Sequence, residues 1–134
     1  LVKSSNNVNW YNDSKSTNCA STKAALECID EKIILILGGS MKDMNYESLS
    51  TLINNKVKLV IFIGENKEYI KKQLKITTKT IDASSIESAV KISQLHSLVN
   101  DNILLSPASP SFDMFKNYEE RGAAFISAVQ NLAK

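Results

Sequence analysis

Short continuous apolar runs alternate along this chain with longer segments in which apolar residues recur every three or four positions. Lys32 to Leu37, Val57 to Ile63 and Ile103 to Leu105 read as strands buried on both faces, the pattern of a parallel sheet. Val8 to Tyr11 reads as a short first strand, and Thr78 to Ile81 as a weaker strand nearer an edge. Between them the helical period predicts a helix from about Asn18 to Ile29, with Asn18 or Thr17 as N-cap and Ala25, Leu26 and Ile29 inward. A second helix, capped by Asn45, runs from Tyr46 to Asn54 with Leu49, Leu52 and Ile53 on one face, and a short basic one spans Asn66 to Leu74. Ser84-Ser85-Ile86-Glu87 forms a capping box that opens a helix reaching about Val99. The last helix runs from about Phe115 to Leu132, with Phe125, Val129 and Leu132 inward.

This alternation predicts an α/β fold: a three-layer, Rossmann-like domain built on a mainly parallel sheet. Residues 1–7 are predicted to fray, and residues 8–134 to form one domain without repeats or linkers.

Composition narrows the function classes. The chain has 134 residues, 43% hydrophobic and 22% charged, enough for one soluble domain that needs no disulfide or metal to fold. Its 16 basic and 14 acidic residues leave a net charge of +2, too balanced to suggest nucleic acid or an anionic membrane as partner. Lys67, Lys71 and Lys72 read as one solvated helix face. The longest apolar run, Ile33 to Leu37, is far shorter than the roughly 20 residues a membrane span needs. No signal peptide opens the chain, and its first residue is Leu, which suggests a fragment or a processed chain. Cys19 and Cys28 form no C-x-x-C pair and read as reduced thiols, so the expected compartment is the cytoplasm. His96 has no nearby Cys or His, and no metal site is expected.

Candidate chemistry gathers in three polar loops that follow strands. They are Asn12-Asp13-Ser14-Lys15-Ser16-Thr17-Asn18, Gly38-Gly39-Ser40-Met41-Lys42-Asp43, and the stretch from Leu104 to Gly122, which reads as a strand end, a polar loop and the opening of a helix. In an open α/β sheet the carboxyl ends of the strands converge on one crevice, so three distant loops can face one ligand. Two of the loops precede helices, whose free N–H groups and dipole favour an anion. Each residue also has a plainer reading. Thr17 and Ser111 are good capping or turn hydroxyls, Lys42 is an ordinary surface lysine, and Gly38-Gly39 is a strand-ending turn. Asp113, Lys116 and Asn117 read as capping and loop-pairing residues. The glycines, four in all, spell neither G-x-G-x-x-G nor G-x-x-x-x-G-K-(S/T).

Taken together the loops carry a family resemblance. Residues 12–18 are similar to the signature Asn-Asp-Ser-Lys-(Ala/Ser)-Thr-Asn, and residues 106–122 to Ser-Pro-Ala-Cys-Ala-Ser-x-Asp-x-Phe-x-Asn-Phe-Glu-x-Arg-Gly. With the Gly-Gly-x-x-Lys loop, they resemble the C-terminal domain of the Mur ligases of peptidoglycan synthesis, specifically the D-glutamate-adding branch. The likeness extends from about Asn7 to the end, with the three motifs in order.

The resemblance implies a full-length, ATP-dependent ligase that joins D-glutamate to UDP-N-acetylmuramoyl-L-alanine. It implies that Thr17, Lys42, Ser111 and the backbone N–H near Tyr118 bind D-glutamate, that Asp13 bonds the ATP ribose and that Lys15 faces the phosphates. A carboxylate accepts two hydroxyl protons and an ammonium is a compact partner for phosphate, so the residue types suit these roles. ATP and Mg2+ are implied cofactors of the full-length enzyme. Its phosphate loop, magnesium ligands and modified lysine belong to a central domain, and the muramoyl nucleotide to an N-terminal one. Neither is in this chain, so no catalytic residue and no metal ligand is expected here, and the fragment alone is expected to be inactive. The rival reading is a stand-alone α/β module that binds a small anion or amino acid without catalysis. The chain departs from the family pattern at Ser40, Met41, Asp43, Ser109, Pro110 and Tyr118.

Overall fold

The computed structural model describes residues 3–5, 7–30, 32–40 and 45–132. Its elements are β1 (Lys3–Ser5), β2 (Val8–Asn12), α1 (Cys19–Cys28), β3 (Ile33–Leu37), a 3-10 helix (Tyr46–Leu49) running into α2 (Ser50–Lys56), β4 (Val57–Phe62), α3 (Lys67–Gln73), β5 (Lys79–Asp82), α4 (Ile86–His96), β6 (Asn102–Leu105) and α5 (Tyr118–Gln130). One six-stranded sheet has the order β1-β2-β6-β3-β4-β5. The pairings from β2 across to β5 are all parallel, and β1 alone is antiparallel. This is the mainly parallel α/β sheet that the apolar runs predict, with the weak strand β5 at an edge.

The side-chain alternation of β3 explains the three layers. Ile34 and Ile36 join Ile61, Ile103 and Leu105 beneath α4 and α5. Ile33, Leu35 and Leu37 point the other way, packing with Val60, Phe62 and Leu104 against α1, α2 and α3. All five β3 residues are fully buried, each burial contributing roughly 1.5–3 kcal/mol before entropy is counted. Trp10 of β2 meets Phe125 of α5 in a tilted pair with centroids 6.3 Å apart.

The helix ends show how local polar groups set the boundaries. Asn18, not Thr17, caps α1, accepting from the Ser21 N–H at 2.9 Å. At the other end of α1, Lys56 donates to the carbonyls of Leu26 and Ile29, both at 2.9 Å. A cation borrowed from α2 thus satisfies carbonyls that the helix itself leaves free. Asn45 caps the 3-10 helix through the Glu47 N–H at 3.1 Å.

Four expectations are corrected. Residues 3–5 do not fray: Lys3, Ser4 and Ser5 pair with Trp10, Asn9 and Val8. A polar strand held by backbone pairing shows no apolar alternation. The cap of α4 is Ser85, accepting from Ser88 N–H at 3.0 Å, one residue later than the capping box implied. That helix stops at His96, because Asp101 accepts the Leu98 N–H at 2.7 Å and turns the chain toward β6. Finally, α5 starts at Tyr118 rather than Phe115, with Asn117 as its cap through the Glu120 N–H at 2.8 Å.

Candidate functional site

Parallel neighbours β2, β6 and β3 end side by side, so the three polar loops after them are adjacent. The loop after β2 is tied down by Asp13. Its N–H donates to the Leu105 carbonyl at 2.8 Å, and its Oδ2 accepts the hydroxyls of Ser106, at 2.8 Å, and Ser16. Ser106 is fully buried and its Oγ also lies 3.0 Å from the Thr22 hydroxyl, so the carboxylate is oriented from behind by α1 and β6. Lys15 is exposed, and Thr17 is half-buried immediately before the α1 cap.

The loop after β3 begins with two glycines that allow close backbone approach. Gly38 has φ of +120°, and a Cβ there would stand 2.1 Å from the Ile63 carbonyl oxygen; one on Gly39 would stand 2.3 Å from that of Pro110. No L side chain fits at either point. Lys42, with Met41 and Asp43, lies outside the described residues. What is described of this loop is tied by Ser40 to the loop before α5. The Ser40 N–H donates to the Pro110 carbonyl at 2.8 Å, and Ser40 Oγ accepts the Asp113 N–H at 2.7 Å. Asp113 Oδ2 in turn accepts the Glu65 N–H at 3.0 Å.

Ser111, in the loop before α5, is only 2% exposed, and its hydroxyl has no hydrogen-bond partner. It is the one such buried side-chain polar atom among the described residues. An unpaired buried hydroxyl costs roughly 1–3 kcal/mol, so its retention calls for an explanation. Tyr118 opens α5; the residue is 42% exposed, and its carbonyl accepts the Ser14 hydroxyl at 2.6 Å.

Lys15 and Tyr118 line a cleft of about 340 Å³ with Asn12 and Ser14. Asp13 opens instead on a hollow of about 450 Å³ with Tyr11, Cys28 and Asn102. Asn12 borders both, so the two hollows flank the end of β2.

Two buried polar side chains carry the loops, and sequence reasoning assigned neither a role. Arg121 of α5 is 1% exposed. Its Nε donates to Ser14 Oγ at 2.9 Å, Nη2 to the Ser14 carbonyl at 2.7 Å and Nη1 to the Ser109 carbonyl at 2.9 Å. Burial lowers its pKa to about 10 against a smaller opposing pull from Asp113, so the guanidinium is charged at neutral pH. The only sequence signal was its place in the Glu-x-Arg-Gly end of the third motif. Asn66, read as the opening of α3, is fully buried and uses its side chain on the loops instead. Nearby, burial raises the Tyr46 phenol above its ordinary pKa, which keeps it a neutral hydrogen-bonding group.

Cys19 is half-buried with its thiol pKa raised by burial, and Cys28 is exposed; both are free. No helix among the described residues is long and apolar enough to cross a membrane.

Comparison with known proteins adds the following. A family model described as "Mur ligase, glutamate ligase domain" matches residues 1–109. A UDP-N-acetylmuramoylalanine--D-glutamate ligase from Bdellovibrio bacteriovorus is 43% identical over 129 residues, covering 96% of this chain and 28% of the relative. One of the same name from Acinetobacter baylyi is 40% identical over 138 residues, covering 98% of this chain and 31% of the relative. The chain thus spans less than a third of the length of the curated relatives it matches. Among solved structures, a domain assigned to a UDP-N-acetylmuramate:L-alanyl-gamma-D-glutamyl-diaminopimelate ligase from Haemophilus ducreyi superposes with a TM-score of 0.51 at 12% identity, covering 92% of this chain and 93% of that one. That likeness speaks to the fold alone.

Proposed function

The chain belongs to the Mur ligase, glutamate ligase domain family, and from that premise we propose that it is the amino-acid-binding C-terminal domain of an ATP-dependent ligase. The full-length enzyme would join D-glutamate to UDP-N-acetylmuramoyl-L-alanine in the cytoplasm. The observation that carries this reading is the adjacency of the three motif loops after the parallel strands β2, β6 and β3, one of which holds the buried, unpartnered Ser111 hydroxyl. A bound carboxylate supplies the missing acceptor, and the free N–H groups at the start of α5 add donors to the same anion.

The remaining roles follow from charge and position. Lys42 offers an ammonium to a carboxylate of D-glutamate, and Thr17 a hydroxyl beside the N-terminus of α1. Asp13, held by Ser16 and Ser106 through Oδ2, presents its other oxygen to the ATP ribose, and Lys15 meets the phosphates. The separation of the Asp13 hollow from the Lys15 cleft fits a nucleotide site whose other wall is another domain.

In the parent reaction, ATP phosphorylates the carboxylate of the muramoyl nucleotide, and the amine of D-glutamate displaces phosphate to form the amide. This chain's part is to hold that amine in line; such orientation can supply up to roughly 7–11 kcal/mol in an ideal arrangement. Magnesium belongs to the phosphate loop's domain on this reading.

Ser111→Ala in the full-length enzyme tests the reading. Loss of one hydroxyl donor to a carboxylate should raise the KM for D-glutamate by about 5- to 30-fold, and leave that for ATP unchanged. The unfolding midpoint should hold or rise slightly, because the deleted group has no partner to lose. A D-glutamate KM equal to wild type would remove Ser111 from the site. If a binding titration shows D-glutamate bound without any ATP turnover by the intact protein, the chain is the stand-alone module instead.

A further inference from the structure

Ser14 lies between Asp13 and Lys15, and every polar group it has is engaged inside the protein. It is 3% exposed. Its N–H donates to Asn12 Oδ1 at 3.1 Å. Its hydroxyl donates to the Tyr118 carbonyl at 2.6 Å and accepts from Arg121 Nε at 2.9 Å. Its carbonyl accepts from Arg121 Nη2 at 2.7 Å. Loop and helix approach so closely that a Cβ on Gly122 would stand 3.2 Å from Ser14 Cβ and 3.0 Å from Asn12 Nδ2.

The bond to Tyr118 is not needed to satisfy that carbonyl. Tyr118 is the first residue of α5, and an α-helix offers such a carbonyl the N–H four residues on. The extra bond instead ties the first turn of α5 to the loop after β2. Arg121 extends the brace, because its Nη1 donates to the Ser109 carbonyl at 2.9 Å, two residues before Ser111. Lys15 and Tyr118 line one cleft, and Ser14 is part of its wall. One hydroxyl and one guanidinium thus fix the Asp13–Lys15 segment relative to the start of α5 and the serine loop before it.

We propose that Ser14 is a positioning residue that holds Asp13 and Lys15 in register with the start of α5, and so aligns the amino-acid amine with the acyl phosphate. The inference rests on the reading that Asp13 and Lys15 serve ATP, while Ser111 and the Tyr118 N–H serve D-glutamate. On that reading the domain meets the phosphate end of the reaction through one loop and the amine through another. Ser14 sets the offset between the two and touches neither substrate. Its loss costs alignment rather than binding, and a misplacement of about 1 Å can cost on the order of 100-fold in rate. A misaligned amine also leaves the acyl phosphate to water, whose attack at the acyl carbon releases phosphate and restores the carboxylate.

The test uses the full-length enzyme and counts ADP and amide product in the same reaction. Wild type should release one ADP for each amide formed. Ser14→Ala should lower kcat by about 10- to 100-fold, hold the KM values for ATP and D-glutamate within about 3-fold, and release at least about two ADP per amide. Destabilisation alone would reduce the amount of active enzyme and leave the ADP-to-amide ratio at its wild-type value. Should Ser14→Ala fail to fold, Ser14→Cys, which keeps a similar size with a weaker donor and acceptor, decides by the same ratio. A folded variant whose ratio stays at the wild-type value, or whose KM values rise with kcat unchanged, would overturn the inference. The wild-type enzyme separates the failures. If it forms the D-glutamate amide and the Ser14 variants match it, only the positioning role falls. If it forms none, the site assignment and this inference fall together.

Discussion

Replacing Arg121 by Met is expected to destabilise the domain by about 3–5 kcal/mol, a large share of the 5–15 kcal/mol that holds a typical domain together. The guanidinium is 1% exposed and makes three hydrogen bonds to two loops. Without it the Ser14 and Ser109 carbonyls lose a charged donor in a buried site. Each orphaned group costs roughly 1–3 kcal/mol, and Met supplies volume but no donors. The guanidinium itself sits there without a carboxylate at ion-pair distance among the described residues. Its burial is therefore justified only by the fork of donors. Arg121→Lys should recover less than half the loss, since a single ammonium cannot reach Ser14 and Ser109 in the same planar geometry. Urea unfolding of the 134-residue chain measures both. A loss under about 1 kcal/mol for Arg121→Met would mean that water replaces the guanidinium at no cost.

Lys42→Ala should give the largest change in substrate use. Removing a charge-assisted hydrogen bond to a carboxylate is worth roughly 1.5–3 kcal/mol, so the KM for D-glutamate in the full-length enzyme should rise by about 10- to 100-fold. The KM for ATP should change little, because Asp13 and Lys15 are on a different loop. Steady-state kinetics with each substrate varied in turn distinguishes the outcomes. An unaltered D-glutamate KM would return Lys42 to the status of a surface lysine.

The contrast between these residues shows what a sequence can reveal. The apolar runs of β3, β4 and β6 and the periodic faces of α1, α2 and α5 are local patterns, and they led directly to the layered sheet. Asn18 and Asn45 cap where predicted because capping is settled within three residues. Strand β1 was illegible because three polar residues held by backbone pairing leave no pattern. Arg121 was illegible for another reason. An arginine on a helix is solvated by default, and what buries this one is Ser14, 107 positions away. Asn66 likewise looks like a helix start until the chain brings Gly39 and Ser109 to it across 27 and 43 positions. The three loops of the candidate site were legible as motifs. Their mutual geometry was not, since Ser40, Pro110 and Asp113 satisfy one another only after the sheet has formed.

The strand order has a consequence for how this chain is made. Asn9 of β2 pairs with Asn102 of β6, and β6 also pairs with β3. As the polypeptide leaves the ribosome, β1-β2 and β3-β4-β5 must wait as two separate pieces, each with an open edge. The strand that joins them is the last to be synthesised, and Arg121 comes later still, in α5. Late insertion of a central strand makes assembly non-local and slow, and leaves hydrophobic edges open until then. It also means that a chain cut short before Asn102 would keep most of its apolar core sequence and still lack the crevice, because the loops on either side of β6 would have nothing between them.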